Sequence, residues 1–241
     1  MRSRRSDGSP LERQQLDQVG SALGTFWHRA RSALVADRIE RVQAEEVVDV
    51  GAGAGHLGGW LRENAPHVHY RFQEPLPSLS ASLSARFGPE NEVSEDDDLV
   101  SADMITVLDV IEHVEDDVGL LEDLRRRARP GATLLVTVPA MPALHSSWDD
   151  ALGHYRRYRR DDLGGRLSAA GFDVQECRYL FPELALPALL RRLRPGAREA
   201  AEFPELPVAV DRVAYALMRT TSRTRVQWPA GSSLLAVAQR P

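Results

Sequence analysis

Three glycines at alternate positions, Gly51, Gly53 and Gly55, follow the apolar run Val47-Val48-Asp49-Val50 and precede helix-compatible residues. A buried strand that breaks into glycines ahead of a helix is a place where a nucleotide cofactor can approach the backbone. No Cβ stands in the way, positive φ is allowed, and the helix start offers unpaired N–H groups. A second carboxylate, Glu74, closes the next apparent strand, Val68-His69-Tyr70-Arg71-Phe72-Gln73. It lies at the offset of roughly twenty residues expected of an acid that accepts from ribose hydroxyls. The Gly-x-Gly-x-Gly spacing, with Asp49 two residues ahead, departs from the Gly-x-Gly-x-x-Gly that wraps a pyrophosphate.

Downstream, Asp103-Met104-Ile105-Thr106-Val107-Leu108 reads as a strand that ends in Asp109-Val110-Ile111-Glu112-His113-Val114, and Arg129-Pro130-Gly131-Ala132 reads as a turn into the strand Thr133–Pro139. With the glycine loop and Glu74, these four motifs in this order resemble the class I S-adenosylmethionine-dependent methyltransferases. The segments Phe26–Arg31, His145–Asp149 and Gly153–Tyr158 resemble a bacterial small-molecule subgroup of that family. The resemblance implies S-adenosyl-L-methionine as cofactor, in preference to the NAD that the other glycine spacing would serve. It implies that Gly51, Gly53 and Gly55 line the methionine and ribose portion and that Glu74 binds the ribose diol. It further implies that Asp49 supports the cofactor ammonium directly or through water, that Glu95 or its acidic neighbours lie near the adenine amino group, and that Asp109 faces cofactor or acceptor. Asp109-x-x-Glu112-His113 also resembles the metal-binding acid-x-x-Glu-His pattern of ubiquinone-pathway and small-RNA O-methyltransferases. Carboxylates and imidazole so spaced could coordinate Mg²⁺ or a transition ion. Asp in place of the usual Glu at the first position shortens the reach, and no metal is expected.

Two histidines are candidate general bases, because neutral imidazole takes a proton near pH 7. His145 lies just past the Thr133–Pro139 strand and His154 precedes Tyr155-Arg156-Arg157. A loop histidine also serves as a hydrogen-bonding or capping residue, so the two compete. The arginines within 156–160 could recognise an acceptor carboxylate or phosphate, or form a solvated helix entrance. Trp27 and Trp148 could wall the acceptor pocket or simply pack. The single cysteine, Cys177, excludes an internal disulfide and a multi-thiolate metal cluster, and reads as a buried structural thiol. All 30 Lys+Arg positions are arginine, which excludes lysine Schiff-base chemistry and the phosphate-loop lysine.

The elements that must position these groups follow from length and pattern. A chain of 241 residues with 43% hydrophobic content fits one sizeable core and one domain. The net charge of −5 argues against nucleic acid as partner. No apolar run of about eighteen residues occurs, and the N-terminus lacks a signal-peptide pattern, so a cytoplasmic location is expected. Residues 1–9 are expected to be a disordered tail. Pro10 suits a first helical position with Ser9 as cap, and N-terminal helices over 10–43 should cover the cleft. Candidate strands at 47–50, 68–73, 91–95, 103–108, 132–138, 173–180 and 232–239 alternate with helical stretches. That pattern predicts an α/β, Rossmann-like, doubly wound sheet of seven strands, mostly parallel with an antiparallel last strand and helices on both faces.

An insertion at about 181–231, with arginines beside helical apolar spacing, suits plain packing, a substrate lid, a homodimer face or peripheral membrane or lipid contact. The expected function is methyl transfer to an oxygen or nitrogen of a small-molecule acceptor such as a sugar, lipid precursor or specialised metabolite. A metal-assisted O-methyltransferase, a nucleotide-dependent dehydrogenase and a non-catalytic S-adenosylmethionine-binding regulatory protein are the alternatives.

Overall fold

The computed structural model describes residues 24–192, 206–224 and 226–241. The expected tail at 1–9, the cap at Ser9, the start at Pro10, the rest of the expected helical stretch up to residue 23 and the middle of the insertion at 193–205 lie outside the described residues. The first described helix, α1 (Phe26–Val42), falls within the expected helical stretch 10–43. Then follow β1 (Glu46–Val50), α2 (His56–Asn64), β2 (His69–Gln73), α3 (Pro77–Phe87), β3 (Met104–Leu108), α4 (Asp117–Arg127), β4 (Thr133–Pro139), α5 (Ser147–Leu152), α6 (Arg160–Ala169), β5 (Asp173–Leu180), α7 (Ala185–Arg192), α8 (Val208–Arg223) and β6 (Ser233–Gln239).

The sheet is Rossmann-like with six strands in the order β2-β1-β3-β4-β6-β5, not seven. The candidate strand at 91–95 contributes one isolated parallel bridge, Phe72 to Glu92. Its run of carboxylates explains why. Val93 is its single buried apolar residue, and at Ser94 the backbone turns away, its N–H donating to Asp97 Oδ2 at 2.8 Å. β1, β2, β3 and β4 pair in parallel, whereas β6 runs antiparallel between β4 and β5.

Alternation along each strand divides the core into two layers. On one face Val48, Val50, Ile105, Val107, Leu134 and Val136 meet Leu121 and Leu124 of α4 and Leu163 and Leu167 of α6. On the other Val47, Met104, Leu135 and Leu235 meet Leu34 and Ile39 of α1, Leu57 and Leu61 of α2 and Met218 of α8. Asp49 shares the second face with Val47, which sets a carboxylate beneath α1.

The register fixes one edge for all functional loops. The carboxyl ends of β1, β2, β3 and β4 point the same way, and Pro139 pairs with Ser233, which also pairs with Leu180. The end of β5 and the start of β6 therefore lie at that edge, and the segment between them leaves and returns there.

On the opposite layer a buried carboxylate ties three elements together. Asp117, 1% exposed at the start of α4, accepts from the Tyr158 hydroxyl at 2.7 Å and pairs with Arg156 at 2.8 Å and with Arg166 of α6. Asp117→Ala should cost about 2–3 kcal/mol, below the roughly 3–5 of a fully buried pair because both arginines keep access to water. Urea unfolding checks it; Tyr158→Phe should cost only about 1 kcal/mol.

Candidate active site

The glycine loop occupies the turn between β1 and α2. Gly51, Gly53 and Gly55 have φ of 72°, 58° and 72°, in the left-handed region that favours glycine. Packing makes the same demand at two of them, since a Cβ on Gly51 would stand 2.7 Å from Val110 Cγ2 and one on Gly55 2.6 Å from Leu83 Cδ2. The Gly51 N–H donates to the Gln73 carbonyl at 2.7 Å, which holds the loop against the end of β2. Glu74 follows, buried, with Oε2 accepting from the Gly53 N–H at 2.8 Å and Oε1 from the Leu76 N–H at 3.1 Å. Its carboxylate is thus fixed at the mouth of the loop.

Asp49 lies under the loop, 3% exposed. Thr106 donates to its Oδ1 at 2.7 Å and Tyr70 to its Oδ2 at 3.1 Å. Burial pushes its pKa up to about 6, against the lowering effects of the Thr106 hydrogen bond, the Arg31 charge and the Tyr70 hydroxyl. Above it, α1 presents Arg31, which pairs with Asp109 and lies over the Trp27 ring with its guanidinium carbon 4.4 Å from the centroid. Asp109 also accepts from the Thr137 hydroxyl at 3.2 Å. Beside this group two buried histidines, His28 and His56, meet with centroids 4.0 Å apart. Burial, then the charges of Arg31 and Arg86, brings His56 down to about 3, and burial, His56 and Arg31 lower His28, so both rings are neutral near pH 7.

Three carboxylates and one guanidinium around a glycine loop fit S-adenosylmethionine in kind, since that molecule carries a sulfonium, an ammonium, a carboxylate and a ribose diol. Glu95 stands apart: it is exposed on the turn at 94–97, without the burial of the other acids.

Backbone strain marks the same edge. Asp109, Met141 and Phe181 follow β3, β4 and β5 with φ of 57°, 60° and 53°, a region that costs a residue other than glycine about 1–3 kcal/mol. Glu112 and His113 lie in a 3-10 turn, Ile111–His113, and α4 starts only at Asp117, so the two do not begin a helix.

The two candidate bases differ in setting. His145 ends the 3-10 turn Pro142–Leu144, half-buried, its Nε2 3.9 Å from Asp150. His154 is buried, and its Nδ1 lies 2.9 Å from Oδ1 of the fully buried Asp149. An ionised carboxylate only accepts, so Nδ1 is the donor in this bond. Asp149 also accepts from Arg157 Nε at 2.7 Å and from the Ser146 N–H at 2.9 Å. Burial alone would raise its pKa; the hydrogen bond from His154 and the charge of Arg157 outweigh burial and hold the carboxyl well below the usual range. The His154 ring meets His113 edge-on at 4.8 Å, and Glu112, His113 and His154 bring ligand atoms within 4.8 Å of one another. The metal-capable set is therefore Glu112, His113 and His154. Asp109, expected to belong to it, is engaged by Arg31 instead.

Arg156 and Arg157 are likewise held by Asp117 and Asp149, which leaves Arg159 and Arg160 as the exposed part of that run. Cys177 is half-buried, with burial pushing its thiol up to about 11, so it is no thiolate near pH 7. Sequence reasoning missed Arg31, Tyr70, Thr106 and Asp149 as individuals. Arg31 stood inside a flagged segment and Asp149 five residues before a flagged histidine; Tyr70 and Thr106 carried no signal beyond strand alternation.

Residues 26–176 match a family described as a methyltransferase domain. A Mycolicibacterium smegmatis protein named as an S-adenosylmethionine-dependent methyltransferase is 25% identical over 183 residues, 70% of this chain and 68% of that protein. A chain from the complex of the Haloferax volcanii Trm112 methyltransferase activator with its methyltransferase has 18% identity and a TM-score of 0.56, over 100% of this chain and 99% of that one. Haemonchus contortus phosphoethanolamine N-methyltransferase 2, solved with phosphomonomethylethanolamine and S-adenosylhomocysteine, has 17% identity and a TM-score of 0.53, over 82% of this chain and 49% of that one. The two structural likenesses establish the fold.

The raised pKa of Asp49 has a measurable sign. Its folded value, about 6, lies above the ordinary 3.8, so its favourable contribution exists below pH 4 and is lost as pH rises through 6. Asp49→Asn removes that loss, and its stability relative to wild type should rise by about 2 kcal/mol between pH 4 and pH 7. The depressed His28 and His56 destabilise both proteins equally as pH falls below 6.5, and cancel in the difference. Denaturant midpoints of the two proteins across that range provide the check.

Proposed function

Because the chain belongs to the methyltransferase domain family and is an S-adenosylmethionine-dependent methyltransferase, we propose that it methylates an oxygen or nitrogen of a small-molecule acceptor with His154 as general base. The observation that carries this reading is the Asp149–His154 pair, an imidazole oriented by a buried carboxylate beside the turn that follows Asp109. When bound, S-adenosylmethionine supplies an electrophilic methyl carbon on a sulfonium. Gly51, Gly53 and Gly55 let the donor approach the backbone, Glu74 accepts from its ribose hydroxyls, and Asp49, Asp109 and Arg31 distribute charge around its methionyl end. Trp27 and α1 exclude water above the loop. His154 Nε2 accepts the proton that the acceptor oxygen or nitrogen releases, and Asp149 stabilises the imidazolium. His145, at the rim, serves acceptor alignment.

A second reading is favoured by one observation, the convergence of Glu112, His113 and His154, which offers a carboxylate and two imidazoles to a divalent ion. In that case the ion would bind the acceptor oxygen and His154 would be a ligand.

Mass spectrometry of small-molecule acceptor pools incubated with methyl-labelled donor tests the function; label confined to protein or nucleic acid would overturn it. Glu74→Ala should weaken donor binding about ten- to a hundredfold by calorimetry, the worth of charge-assisted hydrogen bonds of roughly 1.5–3 kcal/mol. With an acceptor in hand, His154→Ala should lower kcat by about 10²–10⁴ with donor affinity unchanged, and His145→Ala should lower it less. Activity should survive exhaustive chelation. Complete loss that Mg²⁺, Mn²⁺ or Zn²⁺ restores would establish the metal reading.

A further inference from the structure

We infer that the outward faces of α7 and α8 form a docking surface for an anionic lipid bilayer. Among the described residues ten large apolar side chains are exposed, and only Val42 and Val100 lie outside the segment between β5 and β6. Leu186, Leu189 and Leu190 recur at i, i+3 and i+4 on α7, and Val210, Val213 and Leu217 at i, i+3 and i+7 on α8. These six are 40% to 68% exposed. Each set is one stripe of a helix.

The α8 stripe cannot turn inward, because the other side of that helix is already committed. Asp211 pairs with Arg29 and accepts from the Phe26 N–H at 3.1 Å, Arg219 and Arg223 both bond Asp37, and Met218 is fully buried against α1. An outward apolar stripe on a pinned helix needs an external partner.

Charge identifies the partner. From Ala185 to Arg192 the sequence carries no carboxylate and ends in Arg191-Arg192; Arg212 is exposed between Val210 and Val213, and the single carboxylate of α8, Asp211, faces α1. Apolar stripes accompanied by arginine and free of carboxylate complement an anionic interface. A second copy of this chain is a poorer occupant, since an isologous contact sets a patch against itself and would oppose its arginines. The net charge of −5 does not override this, because charges more than about 8 Å away are screened at physiological salt. No helix among the described residues is long and apolar enough to cross a membrane, so the contact is peripheral.

The surface flanks the reaction edge. α7 packs against the Pro142–Leu144 turn that leads into His145, and α8 against the helix that bears Arg31. A bilayer seated there would present headgroup-level acceptors to the loops.

Sedimentation of the full chain with vesicles tests this without reading activity, so its outcome is independent of the proposed base. The chain should pellet with equimolar phosphatidylcholine and phosphatidylglycerol, not with phosphatidylcholine alone, and release as salt rises. Leu189→Gln with Val213→Gln should weaken binding at least about tenfold. Arg191→Gln with Arg192→Gln should weaken it about thirtyfold. Both variants should keep wild-type melting and calorimetric donor affinity, since all four positions lie outside the donor site. Wild type that stays in the supernatant with anionic vesicles would overturn the proposal. So would a wild-type dimer in sedimentation equilibrium that Leu189→Gln with Val213→Gln dissociates.

Discussion

Arg31 reaching from α1 to Asp109 across the carboxyl ends of the strands is the interaction on which the donor side depends. Burial and the neighbouring Glu74 press Asp49 toward its neutral form, which the Arg31 charge opposes, while Arg31 also pairs directly with Asp109. One guanidinium thus serves both carboxylates, and its pairing with Asp109 fixes where this end of α1 sits. Burial first, and the Arg31 charge after it, lowers His28 of α1 and His56 of α2, which keeps both rings neutral near pH 7. The helix above the loop is thus held by charge at its reaction end and by apolar contact along Leu34, Val35 and Ile39. Arg29–Asp211 and the Asp37 pairs then extend the same arrangement outward to α8.

The acceptor side follows the same logic with different carboxylates. Asp149 and Asp117 each collect several donors, and through Tyr155, whose N–H donates to the Glu112 carbonyl at 2.7 Å, the segment after α5 is laced to the turn after β3. Anchors of this kind let strained residues persist at Asp109, Met141 and Phe181, because the surrounding bonds over-determine their conformation. A site made of rigid loops can hold an imidazole in one tautomer and one place, which is what general-base work requires.

How much of this could be read beforehand depended on the kind of signal each part carries. Near-continuous apolar runs revealed β1, β3, β4 and β6 because those strands are buried on both faces. The segment at 91–95 misled because a single apolar residue, Val93, was enough to suggest a strand, whereas its acidic neighbours permit one bridge. The glycine loop and Glu74 were legible because their chemistry constrains residue type and spacing together. Asp149 was not, since a buried carboxylate has no local pattern; only the approach of His154 and Arg157 reveals it. Arginines 156 and 157 looked like ligand-binding groups for the same reason, as nothing in their spacing discloses the carboxylates waiting for them.

The acceptor is the least legible part, and topology explains why. The family match ends at residue 176, inside β5, while the segment that returns to the reaction edge begins only after Leu180. Donor recognition resides in the first four strands, whose loops must meet a fixed molecule and therefore fix residue types. The segment between β5 and β6 packs on α1 through α8 and leaves and re-enters the sheet at Leu180 and Ser233. Everything between those two points is free to be shaped by what the enzyme must reach. In this chain that freedom is filled by two helices, α8 packing its inner side on α1 and both carrying an apolar outer side; on the proposed bilayer contact, that outer side would be where the acceptor is met.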